Sequence, residues 1–236
     1  MFGWIDPMYL LYVGLPGLLL GLYAQWKVKS AFARGSQIAS ERGWTGQQIA
    51  QRILDANGID DVSIEPVEGH LSDHYDPRHK VLRLSPDVYH GRSLAAAGVA
   101  AHEVGHAIQH ARGYAPLAIR NSVVPMASFG SGFGMTLAFL GIGMGFTGMA
   151  AVGVALFTMV VVFQVVNLPV EFNASTRARQ TLVANGLVSV AEDREVGRVL
   201  RAAAMTYVAA TISAILTLVY LLIRSGLLGG ASRDQD

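Results

Sequence analysis

Fifty consecutive residues, Asn121–Val170, carry no charged side chain. One helix needs roughly 20 apolar residues to cross a hydrocarbon core, so a run of this length predicts two spans joined by a tight turn at Gly143–Gly148. Two further windows have the same character, Met8–Trp26 near the N-terminus and Ala202–Ile223, which ends at Arg224. The expected spans are therefore 8–26, 121–145, 149–170 and 202–223. A buried helix of a soluble core is the competing explanation for each. A chain of 236 residues has no soluble core large enough to hide four of them. Composition agrees, with 52% apolar and 15% charged residues, the latter well below the roughly 25% of ordinary soluble domains. The first window is read as a retained anchor and not a cleaved signal, because no Lys or Arg precedes it and no small-residue cleavage site follows.

Lys and Arg near span ends set orientation. Of the 18 basic residues, 16 fall in two segments, Lys27–Arg120 and Arg177–Arg201. Both are expected on the cytoplasmic side of the inner (plasma) membrane, with Met1–Pro7 and the Gly143–Gly148 turn outside. Arg224 and Arg233 dissent. The net charge of +1 speaks against a nucleic-acid partner, and the absence of Cys is compatible with a cytoplasmic site.

Most of the chemistry is then expected in the cytoplasmic insertion 27–120, with a second cytoplasmic segment at 171–201. Thr45-Gly46-Gln47-Gln48 has the form of a capping box, and Ile49, Ile53 and Leu54 recur at helical spacing up to Asn57-Gly58. Val62–Glu65 and Lys80–Leu84 alternate as strands do, with turn chemistry in Asp76-Pro77-Arg78-His79. A two- or three-stranded sheet follows. Residues 93–112 read as one helix, capped at Ser93 and stopped at Gly113, whose small first half suits close packing against other helices.

That helix carries His102-Glu103-Val104-Gly105-His106. Two His four residues apart lie about 40° apart around the axis and about 6 Å apart along it, so both imidazoles can grip one ion. Zinc hydrolases take three protein ligands and activate a water in the fourth position, and Glu103 is placed to be the general base. Coincidence is a poor explanation, since this composition produces such a motif with a chance of roughly 0.006. His110 lies about 12 Å along the axis from His102 and is too far to share the ion. Glu171 is the better third ligand. It is the first charge after the 50 uncharged residues, and a two-span hairpin returns the chain to the membrane face that carries the motif. An ordinary interfacial acid is the alternative.

Three stretches together resemble the YugP-like neutral zinc metallopeptidases of bacterial membranes. They are Asp73-His74-Tyr75-Asp76-Pro77 leading to Leu82-Arg83-Leu84-Ser85, the segment Ala100–Gln109, and Asn167–Ser175. The last is also similar to the E-x-x-A-D element of CAAX-protease-like gluzincins. The resemblance implies one zinc ion per chain held by His102, His106 and Glu171, on an α-helical membrane protein of four transmembrane helices with a small α+β zincin-like insertion. It also implies supporting positions at Asn173, which stands where the YugP-like form is expected to have Asp, and at Ser175, which stands where the CAAX-protease element has Asp. His74 is a candidate catalytic group, and it or Tyr75 would either support the metal ligands or stabilise an oxyanion. A structural turn, with Asp73 and Asp76 capping backbone amides, is the alternative for its stretch. By analogy with gluzincins, Val81–Ser85 is expected to be the edge strand that pairs with an extended substrate.

The function these residues predict is membrane-bound zinc endopeptidase action on membrane-associated proteins or peptides. Two other readings compete, a non-catalytic scaffold tied together by zinc and a site-2-type intramembrane protease. The latter uses an Asp deep in a span, and no expected span has an acidic residue in its interior. Substrate-binding residues and oligomeric state are not legible.

Overall fold

In the computed structural model, residues 6–228 are described, so Arg233 lies outside the described residues, as do positions 1–5 of the Met1–Pro7 leader. The chain is mostly helical, with four long apolar helices and a three-stranded sheet. In chain order the elements are α1 (Pro7–Ser36), α2 (Gly46–Ala56), β1 (Ser63–Pro66), β2 (His74–Asp76), β3 (Val81–Leu84), α3 (Pro86–Tyr89), α4 (Leu94–Ala111), α5 (Ala115–Gly143), α6 (Thr147–Ala184) and α7 (Val190–Arg224). By length and composition, α1, α5, α6 and α7 are each able to cross a membrane. Each runs beyond the uncharged segment that announces it, because amphipathic turns continue the helix. The turn expected near Gly143–Gly148 lies between α5 and α6. Two π-helical turns, Leu10–Gly14 in α1 and Gly130–Gly134 in α5, have no counterpart in the sequence reading.

The chain divides into two compact units. The first comprises residues 6–23, 119–168 and 207–228 among those described. Its core gathers Val13, Ala138, Val154, Phe157, Tyr220 and Leu221. Here α5 and α6 meet backbone to backbone. A Cβ on Gly141 would lie 2.3 Å from the Ala150 nitrogen, and one on Gly153 2.2 Å from that of Ala138. Close approach through small residues is how helices associate where solvent offers no hydrophobic drive. The outward faces are apolar, with Leu11, Leu18, Phe129, Phe133, Val152 and Val219 all exposed. At one end Asp6 caps α1 through the Met8 amide at 2.9 Å, accepts the Tyr220 hydroxyl at 2.5 Å and pairs with Arg224 at 2.8 Å.

The second unit comprises residues 24–118 and 169–206. Thr45 and Gln48 form the expected capping box at the start of α2. That helix buries Ile49, Ile53 and Leu54 against α4. Ser93 caps α4 through the Ala96 amide, and Gly113, at φ +59°, follows its last turn. Ser189 and Glu192 cap α7 reciprocally, and Arg179 of α6 binds Asp193 of α7 through two hydrogen bonds at 2.9 and 2.5 Å.

The sheet order is β1-β3-β2, with β1 parallel and β2 antiparallel to β3. This corrects one expectation, since Val81–Ser85 holds the central strand and has no free edge for a substrate. The turn after β2 explains why. Asp76 Oδ1 accepts the amides of Arg78 at 2.9 Å and His79 at 3.3 Å, Lys80 takes a positive φ of 53°, and the chain folds back so that β2 fills that edge. The free edges belong to β1 and β2. The capping reading of Asp73 holds as well, because its Oδ1 accepts the Ser85 amide at 2.7 Å.

Candidate metal centre

α4 is buried along nearly its whole length, with Ala95, Ala97, Ala100, Ala101 and Val104 fully enclosed. Its small residues let neighbouring helices come close. A Cβ on Gly98 would lie 3.1 Å from Val196 Cγ1 of α7, and one on Gly105 would lie 2.6 Å from the Ala174 carbonyl oxygen of α6. Position 105, between Glu103 and His106, is thus where α6 backbone seats against the motif. Glu171 lies one helical turn before Ala174 and reaches the His pair.

His102 and His106 stand with ring centroids 4.9 Å apart and planes at 85°. Their Nε2 atoms lie 3.3 and 3.6 Å from Glu171 Oε2, and one ligand atom from each of the three side chains lies within 4.8 Å of the others. Glu171 is 3% exposed, and its Oε2 is buried without a hydrogen-bond partner. Both nitrogens are near it, but neither contact has the geometry of a full hydrogen bond. An orphaned buried carboxylate oxygen is costly, and its cost disappears if a cation sits where three lone pairs meet. Burial pushes the His106 imidazole down, while the Glu171 and Glu103 carboxylates outweigh it and raise its pKa above the ordinary value. The donor set of two imidazoles and one carboxylate fits zinc and leaves a coordination position open.

Each ring has a hydrogen-bond partner behind it at Nδ1. The His106 Nδ1 lies 3.0 Å from Gln109 Oε1, an acceptor only, so Nδ1 donates and Nε2 presents its lone pair. His102 Nδ1 lies 3.1 Å from Ser175 Oγ, which can take the same role. Asn173 hydrogen-bonds to neither ring. Its Oδ1 accepts Gln109 Nε2 at 3.0 Å and Arg177 Nε at 2.7 Å, so it acts one bond further out. Gln109, fully buried, also donates to the Val170 carbonyl at 2.8 Å. Sequence reading passed over Gln109, although its i+3 spacing from His106 on a helix was the available signal.

Glu103 is 9% exposed, and its Oε2 accepts the backbone amide of Tyr75 on β2 at 3.1 Å. One carboxylate oxygen is thereby fixed. The Tyr75 phenol, pushed up to about 12 by burial and by Asp61 and Asp76, stays protonated and lies 2.9 Å from His110 Nδ1. His110 is accordingly exposed and hydrogen-bonded, away from the three-residue cluster. His74 alternates with Tyr75 along β2, and its exposed ring sits with Nδ1 2.8 Å from the Ser72 carbonyl.

Over residues 9–226 the chain matches the family described as "Putative neutral zinc metallopeptidase". It is also 46% identical over 205 residues to "Putative membrane protease YugP" of Bacillus subtilis (strain 168), an alignment covering 87% of this chain and 91% of that protein. No solved structure matches it.

Proposed function

Because this chain belongs to the neutral zinc metallopeptidase family, we propose that it is a membrane-embedded zinc endopeptidase acting on membrane-associated proteins or peptides. His102, His106 and Glu171 would hold one zinc ion. The observation that carries this reading is the convergence of two imidazole Nε2 atoms on a buried carboxylate oxygen with no other partner. When bound, zinc supplies Lewis acidity toward a carbonyl and lowers the pKa of a water to about 7.

The chain's own residues do the rest. Tyr75 N–H holds Glu103 Oε2, which leaves Oε1 to take a proton from the attacking water as its oxygen bonds to the scissile carbonyl carbon. The same carboxyl then delivers that proton to the departing amide nitrogen as the C–N bond breaks. Gln109 and Ser175 keep the two imidazoles turned toward the cluster. His74 is the candidate for stabilising charge on the carbonyl oxygen. Its ring is exposed on an edge strand, where a substrate can approach it.

The membrane placement rests on the four long apolar helices and their exposed apolar side chains, with spans at 8–26, 121–145, 149–170 and 202–223. The Lys and Arg count supports a cytoplasmic position, at the inner membrane, for 27–120 and 171–201. Arg224, which dissents from that count, is paired with Asp6.

Purified protein loaded with one equivalent of zinc is expected to cleave an unfolded protein substrate. Glu103→Gln should lower the rate by roughly 10²–10⁴-fold while zinc stays bound, and Glu171→Gln should lose the metal. Full activity in Glu103→Gln sinks the mechanism. A zinc-loaded wild type that cleaves nothing, and that unfolds when His106→Ala removes a ligand, supports a scaffold instead.

A further inference from the structure

We propose that the cleft between α1 and the start of α7 is a binding site for the headgroup of an anionic phospholipid. It encloses about 440 Å³ and lies wholly within the second unit. Lys27 and Arg34 line it from α1, and Arg198 and Arg201 from α7. Both pairs are set by helical spacing. Seven residues bring Lys27 and Arg34 to one face about 10 Å apart, and three bring Arg198 and Arg201 onto neighbouring turns. Only one carboxylate, Glu195, lies among them, and it pairs with Arg198. Among the described residues no acidic or carbonyl partner engages the side chains of Arg34 or Arg201. The cleft therefore carries a net positive charge with two guanidinium groups still to be satisfied, and guanidinium forks suit phosphate oxygens.

Its position selects the source of the phosphate. Lys27 directly follows the uncharged run Met8–Trp26, and Arg201 directly precedes the run Ala202–Ile223. In the placement proposed above, on which this step rests, the cleft begins where the hydrocarbon ends. Headgroup layers are about 5–8 Å deep, a depth that Lys27 and Arg34 together cover. Trp26, 64% exposed, and Met205 give the lip an apolar wall. Trp at such a boundary is a common interfacial anchor. A ligand with a phosphodiester at one end and acyl chains at the other matches both sets of groups, and basic pockets between spans recognise such lipids.

The test uses the full chain in a nonionic detergent, with dioctanoyl phosphatidylglycerol, dioctanoyl phosphatidylcholine and inorganic phosphate as probes. Affinities are read by native mass spectrometry. Phosphatidylglycerol should bind at least about tenfold tighter than phosphatidylcholine. The double variant R34Q/R201Q should weaken phosphatidylglycerol binding roughly 30-fold, with phosphatidylcholine unchanged, and R34K/R201K should retain much of the preference. Circular dichroism checks that the variants fold, and R201Q alone is read if the double variant does not. Equal binding of the two lipids overturns the proposal, as does a double variant that keeps the preference. Displacement of phosphatidylglycerol by a comparable concentration of inorganic phosphate makes this a free-anion site and overturns the lipid assignment. Binding in micelles needs no span, so alkaline extraction from vesicles tests the placement separately. A chain that is extracted yet still selects phosphatidylglycerol supports the site and sinks the placement.

Discussion

Gln109 is buried to the last atom and makes three hydrogen bonds, to His106 Nδ1, to the Val170 carbonyl and to Asn173 Oδ1. Its replacement by Leu would leave a backbone carbonyl and an amide oxygen short of a donor and free the imidazole to rotate. Zinc affinity, measured by competition with a chelator, is expected to fall 10–100-fold in Gln109→Leu. Ser175→Ala should weaken zinc by roughly 10-fold for the same reason at His102, and Ser175→Asp should recover at least the wild-type affinity. If both Ser175 variants bind zinc as the wild type does, the hydroxyl has no orienting role. The His pair and Glu103 could be read from spacing alone, because their chemistry is local to one helix. Glu171 was legible as the first charge after an uncharged run, on the face to which a two-span hairpin returns, and through the resemblance of its stretch to the E-x-x-A-D element. Gln109 showed in the sequence only through its i+3 spacing from His106, since its other two partners lie 61 and 64 residues away.

The elements meet where side chains are smallest. A methyl group at position 105 collides with the Ala174 carbonyl oxygen, a backbone atom that cannot swing aside. Gly105→Ala should therefore cost about 1–3 kcal/mol in thermal or denaturant unfolding and lower zinc occupancy by moving Glu171 from the His pair. Unchanged stability would mean that the two helices yield there freely. The β2 turn has its own signature in pH. The His79 side chain, with the amides of residues 78 and 79 and Arg83, outweighs the desolvation penalty and holds the Asp76 carboxyl well below the usual carboxylate range. A carboxyl with a lowered folded-state pKa contributes stability above its unfolded value near 4, and that contribution is lost as pH falls through its folded value. Melting temperature should thus drop less steeply between pH 5 and pH 2 in Asp76→Asn than in the wild type. Helices with caps and periodic apolar residues, α2 and α4, announced themselves. β2 did not, because three residues are too few for alternation to show, and this misassigned the edge of the sheet.

Across the whole molecule, removal of zinc should have two effects in one experiment. Chelation is expected to abolish peptidase activity and to lower the melting temperature of the unit carrying the site, since metal binding to the folded state alone stabilises it by mass action. Activity that survives exhaustive chelation would contradict a metallopeptidase. The long helices and their number were readable because a charge-free run has few physical interpretations. The π-helical turns in α1 and α5 were not, because nothing in local composition separates them from ordinary helix. One arrangement bears on how the protein is made. The His pair sits on α4, whereas the carboxylate that meets it is encoded about 65 residues later, on α6. At about 5–20 residues per second, ribosomes need several seconds to cover that gap. In the proposed topology two spans must enter the bilayer during the same interval. If the proposed site and topology hold, a nascent or prematurely released chain ending before Glu171 would carry two of the three ligands and be inert, so that cutting would begin only once membrane insertion was well advanced.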